Sequence, residues 1–211
     1  MNNTINLMVV DLSHFEAEGF EIDYNAVFAA GVAGVIYKAT QGLNYIDHTY
    51  NDQRIAAKAA GLLWGSYHFG TNDDPVQQAQ HYFAFASPTS DELFALDWEN
   101  NESQMTTDQA KTFITTIEGT LHRPNRCVLY SGNVLKEALN EPDEFFSLRR
   151  LWLADYSENP TLPVGFEDAW LWQYTDGQDG RGPHTTPGLP SNGVDCNSYL
   201  SPAAQLKLEW A

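Results

Sequence analysis

The sequence predicts a closed α/β barrel, a variant of the TIM architecture, in one domain covering residues 1–211. Three observations carry the prediction. Five apolar runs recur at roughly 30-residue intervals with helix-like segments between them, the length of a strand-plus-helix unit. Three more runs follow at roughly 20-residue intervals, with connections that Pro and Gly keep from forming a full helix. The composition, 43% hydrophobic and 18% charged over 211 residues, supplies a sizeable core and argues against disorder. Eight strands suffice to close a barrel. An open, doubly wound sheet is the alternative use of the same elements.

In chain order, the expected strands are Leu7–Asp11, Gly34–Lys38, Leu62–Phe69, Leu93–Glu99, Arg126–Ser131, Leu151–Asp155, Trp170–Tyr174 and Gly193–Asn197. The expected helices are Tyr24–Ala30, Tyr50–Ala60, Pro75–Ala86, Thr107–Leu121 and Gly132–Leu139. Asp74 before Pro75 is a good N-cap with proline at the first helical position. Gly61 after Ala60 is a good helix stop. The later connections stay irregular: Ser157–Glu167 carries Pro160 and Pro163, and Asp176–Asn192 is rich in Gly and Pro from Gly177 to Pro183.

The net charge of −17 excludes several functions. Non-specific nucleic-acid binding needs a basic face, and so does an anionic membrane surface. No apolar run approaches the roughly 18 residues of a membrane helix. Two cysteines cannot make a disulfide scaffold or a Cys-rich zinc site. The opening residues carry no basic, signal-like stretch. Release by cell lysis, as for a phage lysin, or by a dedicated secretion machine, as for an effector, is therefore the expectation for anything acting outside the cell.

In a barrel of this kind functional groups gather at the C-terminal ends of the strands. Asp11, Lys38, His68, Asp97 with Glu99, Asp155 with Tyr156, and Asp195 all fall at or near such ends. Asp97 and Glu99 are the sharpest signal. Residues i and i+2 of a strand share a face, so both carboxyls enter one site. Crowding by Asp11, Asp97 and Asp195 should drive Glu99 towards its protonated form. A protonated carboxylic acid beside an ionised partner is the arrangement that cleaves a glycosidic bond. The bland reading is a pair of solvated strand-end acids, and the metal reading is a Mg²⁺ or Ca²⁺ site. No metal-ligand spacing is present, so no metal or cofactor is expected. Trp64, Tyr67, Trp98, Tyr130, Trp152, Tyr156, Trp170, Trp172 and Tyr174 lie on or beside strands and could face a sugar, although alternation assigns about half of them to packing. His14 and His68 read as hydrogen-bonding or packing residues rather than ligands. Cys127 reads as a buried thiol, and Cys196 should face away from Asp195.

Taken together, the residues resemble the glycoside hydrolase family 25 lysozymes, the Chalaropsis-type muramidases. The matching pieces are Val10-Asp11-Leu12-Ser13-His14-Phe15, Val35-Ile36-Tyr37-Lys38-Ala39-Thr40-Gln41-Gly42, Tyr45-Ile46-Asp47, Ala57-Lys58-Ala59-Ala60-Gly61-Leu62, Gly65-Ser66-Tyr67-His68-Phe69, Leu96-Asp97-Trp98-Glu99, Leu151-Trp152-Leu153-Ala154-Asp155-Tyr156, Trp172-Gln173-Tyr174-Thr175 and Val194-Asp195-Cys196-Asn197. The resemblance implies a (β/α)5(β)3 barrel that hydrolyses the β-1,4 bond between N-acetylmuramic acid and N-acetylglucosamine in bacterial peptidoglycan. It implies Glu99 as general acid and Asp97 as second catalytic carboxylate. It lines the groove with Asp11 and Asp195, and Tyr67 and Tyr156 look like substrate-contacting tyrosines. Lys38, His68 and Trp98, within the matched motifs, complete the expected substrate-binding set. Gln41 stands where the family commonly has Glu, which removes one charge. No wall-binding repeats follow, so the groove itself or another chain must supply targeting.

Two other functions compete. A chitinase-like glycosidase would carry D-x-x-D-x-D-x-E on the fourth strand, but Ala95 occupies the place of an Asp. A non-catalytic glycan-binding barrel would have no use for the Asp97/Glu99 pair. The expected partner is peptidoglycan, with no nucleic acid and no membrane. The chain is expected to be a monomer, and an inhibitor or immunity protein is left open.

Overall fold

A computed structural model describes residues 4–211. The opening Met1–Asn3, part of the stretch read for a signal, lies outside the described residues. Eight strands close into a barrel: β1 (Leu7–Leu12), β2 (Gly34–Gln41), β4 (Leu63–Phe69), β5 (Leu93–Asp97), β6 (Val128–Ser131), β7 (Leu151–Ala154), β8 (Leu171–Thr175) and β9 (Asp195–Ser198). A ninth, β3 (Tyr45–Ile46), pairs antiparallel to the end of β2. The order β1-β9-β8-β7-β6-β5-β4-β2 is closed by the β1–β2 pairing. β1, β2 and β4 to β8 run parallel. β9 is antiparallel to both neighbours. Residues 176–194 form no helix and do not return to the far end before β9 begins, whereas the equally helix-free connection from β7 to β8 does return and β8 runs parallel. Asp195 thus begins its strand at the same mouth where the parallel strands end.

The helices in between are α2 (Tyr24–Ala29), α3 (Tyr50–Ala59), α4 (Pro75–Ala86), α5 (Thr107–Leu121) and α6 (Asn133–Ala138), each within a residue of its expected bounds. Asp74 caps α4 as expected, its side chain accepting from Val76 and Gln77 N–H, with Pro75 in the first turn. Gly61 follows α3 at φ +90°, a conformation that glycine adopts without strain. Three short helices fall outside the sequence expectation: α1 (His14–Ala17), α7 (Glu144–Ser147) and α8 (Ala203–Glu209).

Strand alternation divides the interior in two. One buried cluster lies between barrel and helices and includes Val10, Val35, Trp64, Phe94, Leu96, Phe113 and Trp172. The other fills the barrel and includes Val9, Ile36, Ala95, Val128, Trp152 and Leu171. The end of the barrel away from the site is stopped by Trp210, which is buried and donates Nε1–H to the Trp64 carbonyl at 2.7 Å. Gly34 and Gly65 make room for it. A Cβ on Gly34 would lie 2.7 Å from the Trp210 ring.

Candidate active site

The opposite end is a polar groove of about 310 Å³, lined by Asp11, Lys38, Tyr67, Asp97, Glu99, Tyr130, Trp152, Tyr156 and Asp195, with Phe15 and Glu16 at its rim. Alternation explains the list. Asp11, Lys38, Tyr67 and Asp97 hold inward positions near the ends of β1, β2, β4 and β5. β5 ends at Asp97, short of the expected Glu99, but the pairing geometry continues: Trp98 N–H donates to the Tyr130 carbonyl at 3.0 Å. Glu99 therefore keeps the inward parity of Asp97.

The same alternation removes two expected binding residues. His68 follows inward Tyr67 and so faces outward. It is wholly buried, bonded to Thr40 Oγ1 at 2.7 Å and Gln78 Oε1 at 3.0 Å, and stacked on Phe113. Burial lowers its pKa to about 3, so it stays neutral. Trp98, between Asp97 and Glu99, also points outward. It donates Nε1–H to the Met105 carbonyl at 2.9 Å and stacks on Phe146. Neither lines the groove. Of the strand aromatics, Tyr67, Tyr130, Trp152 and Tyr156 reach it. Trp64, Trp172 and Tyr174 pack outside the barrel. Cys127 and Cys196 are both buried free thiols in that outer core, with Cys196 turned away from Asp195.

The groove holds Asp11, Asp97, Glu99 and Asp195, which among the described residues have no ion-pair partner, unlike Glu92, Glu118 and Asp143 away from it and Asp155 in the adjoining cavity. Burial pushes the Asp97 carboxyl well above the usual range, and the Glu99 charge adds to this. Burial also raises Glu99. Asp11 is the carboxylate that adds most there, a narrower cause than crowding by all three acids, while Lys38 opposes it. Asp11 and Asp195 face each other across the antiparallel β1–β9 pair and share a hydrogen bond. Burial and that neighbour raise Asp195 to about 10. Burial raises Asp11 only to about 6, because Asn197 and Gln173 bond its charged form. Lys38 Nζ donates to Gln41 Oε1 at 2.7 Å and lies 4.8 Å from the Phe69 ring centroid. Gln41 thus supplies a hydrogen-bond acceptor without a charge.

Among the described residues two buried side-chain atoms are unpaired, Arg123 Nη2 away from the groove and Asp97 Oδ1 at it. An orphaned acceptor in a desolvated site is costly unless a ligand supplies the donor. Two residues under the groove escape the sequence reading. Gln173 Nε2 donates to Asp11 and Asp195, and its Oε1 accepts from Tyr130 and Tyr156. Asn197 Nδ2 donates to Asp11 Oδ1 at 2.7 Å, and its Oδ1 accepts from Trp152 Nε1 at 2.6 Å. Their signal is present in the sequence: a polar residue at an inward position of a strand whose neighbours are apolar. Among the described residues no group of three or more His, Cys, Asp or Glu is placed to hold a metal ion.

The groove continues past its centre. A cavity lined by Asn100, Asn133 and Asp155 shares Glu99, Tyr130 and Tyr156 with it, and another, beside Phe20 and Pro190, shares Phe15 and Glu16. A polymer crossing the mouth would pass over the Asp97/Glu99 pair.

The family model described as glycosyl hydrolases family 25 matches residues 10–182. The autolytic lysozyme of Clostridium acetobutylicum is 34% identical over 159 residues, 74% of this chain and 47% of that protein. The chain thus spans about half the length of that relative. Lysozyme M1 of Streptomyces globisporus is 27% identical over 219 residues, 97% of this chain and 71% of its own length. The solved bacterial lysozyme of Streptomyces coelicolor superimposes with a TM-score of 0.81 at 26% identity, covering 98% of both chains.

Proposed function

The chain belongs to glycosyl hydrolases family 25, and from that premise we propose that it is an N-acetylmuramidase. It cleaves the β-1,4 bond between N-acetylmuramic acid and N-acetylglucosamine in peptidoglycan, with Glu99 and Asp97 as the catalytic carboxyls. The observation that carries the reading is the buried Asp97/Glu99 pair, both raised towards the protonated form, at the centre of an open groove. Glu99 protonates the glycosidic oxygen as the bond to the sugar carbon breaks, and later takes a proton from the attacking water. Asp97 Oδ1, with no protein partner, accepts from the substrate's acetamido N–H and turns the acetamido oxygen towards the sugar carbon. Two carboxyls two residues apart on one strand do not flank a sugar from both faces, which favours this substrate-assisted route over a protein nucleophile.

Asp11, Asp195, Tyr67, Tyr156 and Lys38 bind the glycan. Residues 1–211 act as one catalytic unit and as a monomer, on the cell wall outside the cytoplasm, reached by lysis of the producing cell or by a dedicated secretion machine. The test is purified protein on purified peptidoglycan. New muramic-acid reducing ends support the reading. New N-acetylglucosamine ends alone would indicate another glycosidase, and binding to the wall without release would indicate a glycan-binding barrel.

A further inference from the structure

Gln173 is the most heavily bonded side chain beneath the groove, yet it has no part in the proton transfers above. It is wholly buried at the centre of β8. Its Nε2 donates to Asp11 Oδ1 and Oδ2 at 3.0 Å each and to Asp195 Oδ2 at 3.3 Å. Its Oε1 accepts from the Tyr130 hydroxyl at 2.7 Å and the Tyr156 hydroxyl at 2.7 Å. Both amide hydrogens and both lone pairs are thereby used. The orientation is fixed by chemistry. Turned over, Oε1 would meet the Asp11 carboxylate, acceptor against acceptor, and that carboxylate would lose a donor.

The tyrosines inherit a consequence. A phenol has one hydrogen; each hydroxyl lies 2.7 Å from Gln173 Oε1 and the two also bond each other, so both hydrogens are used within this trio. Towards the groove, and towards the adjoining cavity they share with Glu99, the two phenols therefore offer lone pairs and no donor. We propose that Gln173 is a positioning residue that makes Tyr130 and Tyr156 hydrogen-bond acceptors, so that the groove beside Glu99 selects a sugar presenting an N–H or O–H at that point. This rests on the muramidase reading and adds to it which polar group of the glycan is recognised there.

Gln173→Glu probes the contact with Asp11, because a protonated carboxyl reproduces the wild-type pattern: its O–H donates to Asp11 and its carbonyl accepts from both tyrosines. Ionised, it places a second negative charge against Asp11 and removes that donor. The titratable groups facing position 173 are Asp11 on β1, Asp195 on β9, Tyr130 on β6 and Tyr156 after β7. Asp97, Glu99 and Lys38 lie across the groove, with Glu16 at its rim. The acids disfavour ionisation of the introduced carboxyl, so its loss of function is set by pH rather than constant.

Relative to wild type at the same pH, Gln173→Glu is expected to keep kcat/KM on purified peptidoglycan within about threefold at pH 5. It should then fall about tenfold further by pH 8, the scale of one lost hydrogen bond. The second measurement is a double-mutant cycle. Tyr156→Phe should raise KM about tenfold in the wild type and less than about twofold in Gln173→Met, where the phenol is no longer oriented. The Gln173→Glu ratio reads the contact with Asp11, since an ionised carboxyl still accepts from both tyrosines. Additive effects in the cycle overturn the proposal, and so does an unchanged KM in Tyr156→Phe alone, even if Gln173→Met fails to fold. If the wild type releases no reducing ends, the muramidase reading has failed. If the wild type is active and Tyr156→Phe matches it, only the present proposal has.

Discussion

The two ends of the barrel come from the same alternating strands and have opposite chemistry. At the floor the inward positions are Gly34, Gly65 and Leu93, closed by Trp210, whose one polar side-chain atom is bonded to a backbone carbonyl. At the mouth, two or four residues further along the same strands, the inward positions are Lys38, Tyr67 and Asp97. There Asp97 Oδ1 goes unsatisfied, and four carboxyls share one basic neighbour. The Trp210 plug has its polar side-chain atom paired, whereas at the mouth Asp97 Oδ1 lacks a partner where a substrate would sit. The floor holds the barrel together, and the mouth costs it stability for the sake of chemistry.

Substitutions should separate the two ends. Glu99→Gln is expected to lower kcat by about 10³-fold or more, the upper range for a lost general acid, with no loss of melting temperature. Asp97→Asn should also be strongly impaired yet melt at or above the wild-type temperature, because it removes a buried acid with an unpaired oxygen. Trp210→Ala should do the reverse. A large aromatic leaves a cavity that two glycines cannot fill, costing about 3–5 kcal/mol in denaturant unfolding, while the specific activity of the folded fraction stays near wild type. A Trp210→Ala enzyme that folds normally but loses turnover would break the division between the two ends.

Much of this contrast was legible in the sequence. The roughly 30-residue spacing of the first five runs is set by strand, helix and two turns, and it pointed to the barrel. The antiparallel β9 was not legible, because strand direction depends on where the loop of residues 176–194 runs and not on its composition. α7 and α8 are too short for periodicity to announce them, so Trp210 had no visible partner. At the site, Asp97 and Glu99 stood out by chemistry and Asp11 and Asp195 by position. His68 and Trp98 were misplaced by ignoring parity: each is adjacent to an inward residue, and neighbours on a strand cannot share a face. Applied strictly, the same rule singles out Gln173 between outward Trp172 and Tyr174, and Asn197 two residues after Asp195.

The mouth should also leave a mark on stability as a function of pH. Asp195 titrates near 10 in the folded protein and Asp11 near 6, against an ordinary value of 3.8. At these two positions the folded state therefore holds more protons than the unfolded chain, from about pH 4 up to about pH 6 at Asp11 and up to about pH 10 at Asp195. Both raised groups favour folding fully below about pH 4, and that contribution is lost as pH rises through their folded values. Asp195→Asn is expected to flatten the fall of unfolding free energy between pH 5 and pH 9, by a slope on the order of 1 kcal/mol per pH unit. The ion-paired acids behave differently. Burial would raise Asp143 and Asp155, yet Lys111 and Lys136 hold them below the usual carboxylate range. Their stabilisation disappears only on acidification below about pH 4, outside that window. Urea melts across the pH range would show the difference, and identical slopes in wild type and variant would remove Asp195 as its source.

The smallest effect belongs to the rim. Phe15 is 74% exposed on α1, a four-residue helix held by the Ser13 capping box with Glu16. It borders both the central groove and the cavity beside Phe20. An exposed ring gains little for folding, so its value is to be sought in binding: a flat apolar face for the C–H surface of a sugar. Phe15→Ala is expected to leave the melting temperature and kcat unchanged and to raise KM about threefold to tenfold on long glycan strands, corresponding to about 0.5–1.5 kcal/mol. On short oligosaccharides that do not extend past Glu16 the change should vanish. Equal losses on both substrates would place Phe15 in the reacting centre, and no loss on either would make the rim mere surface and shorten the functional mouth to its carboxyls.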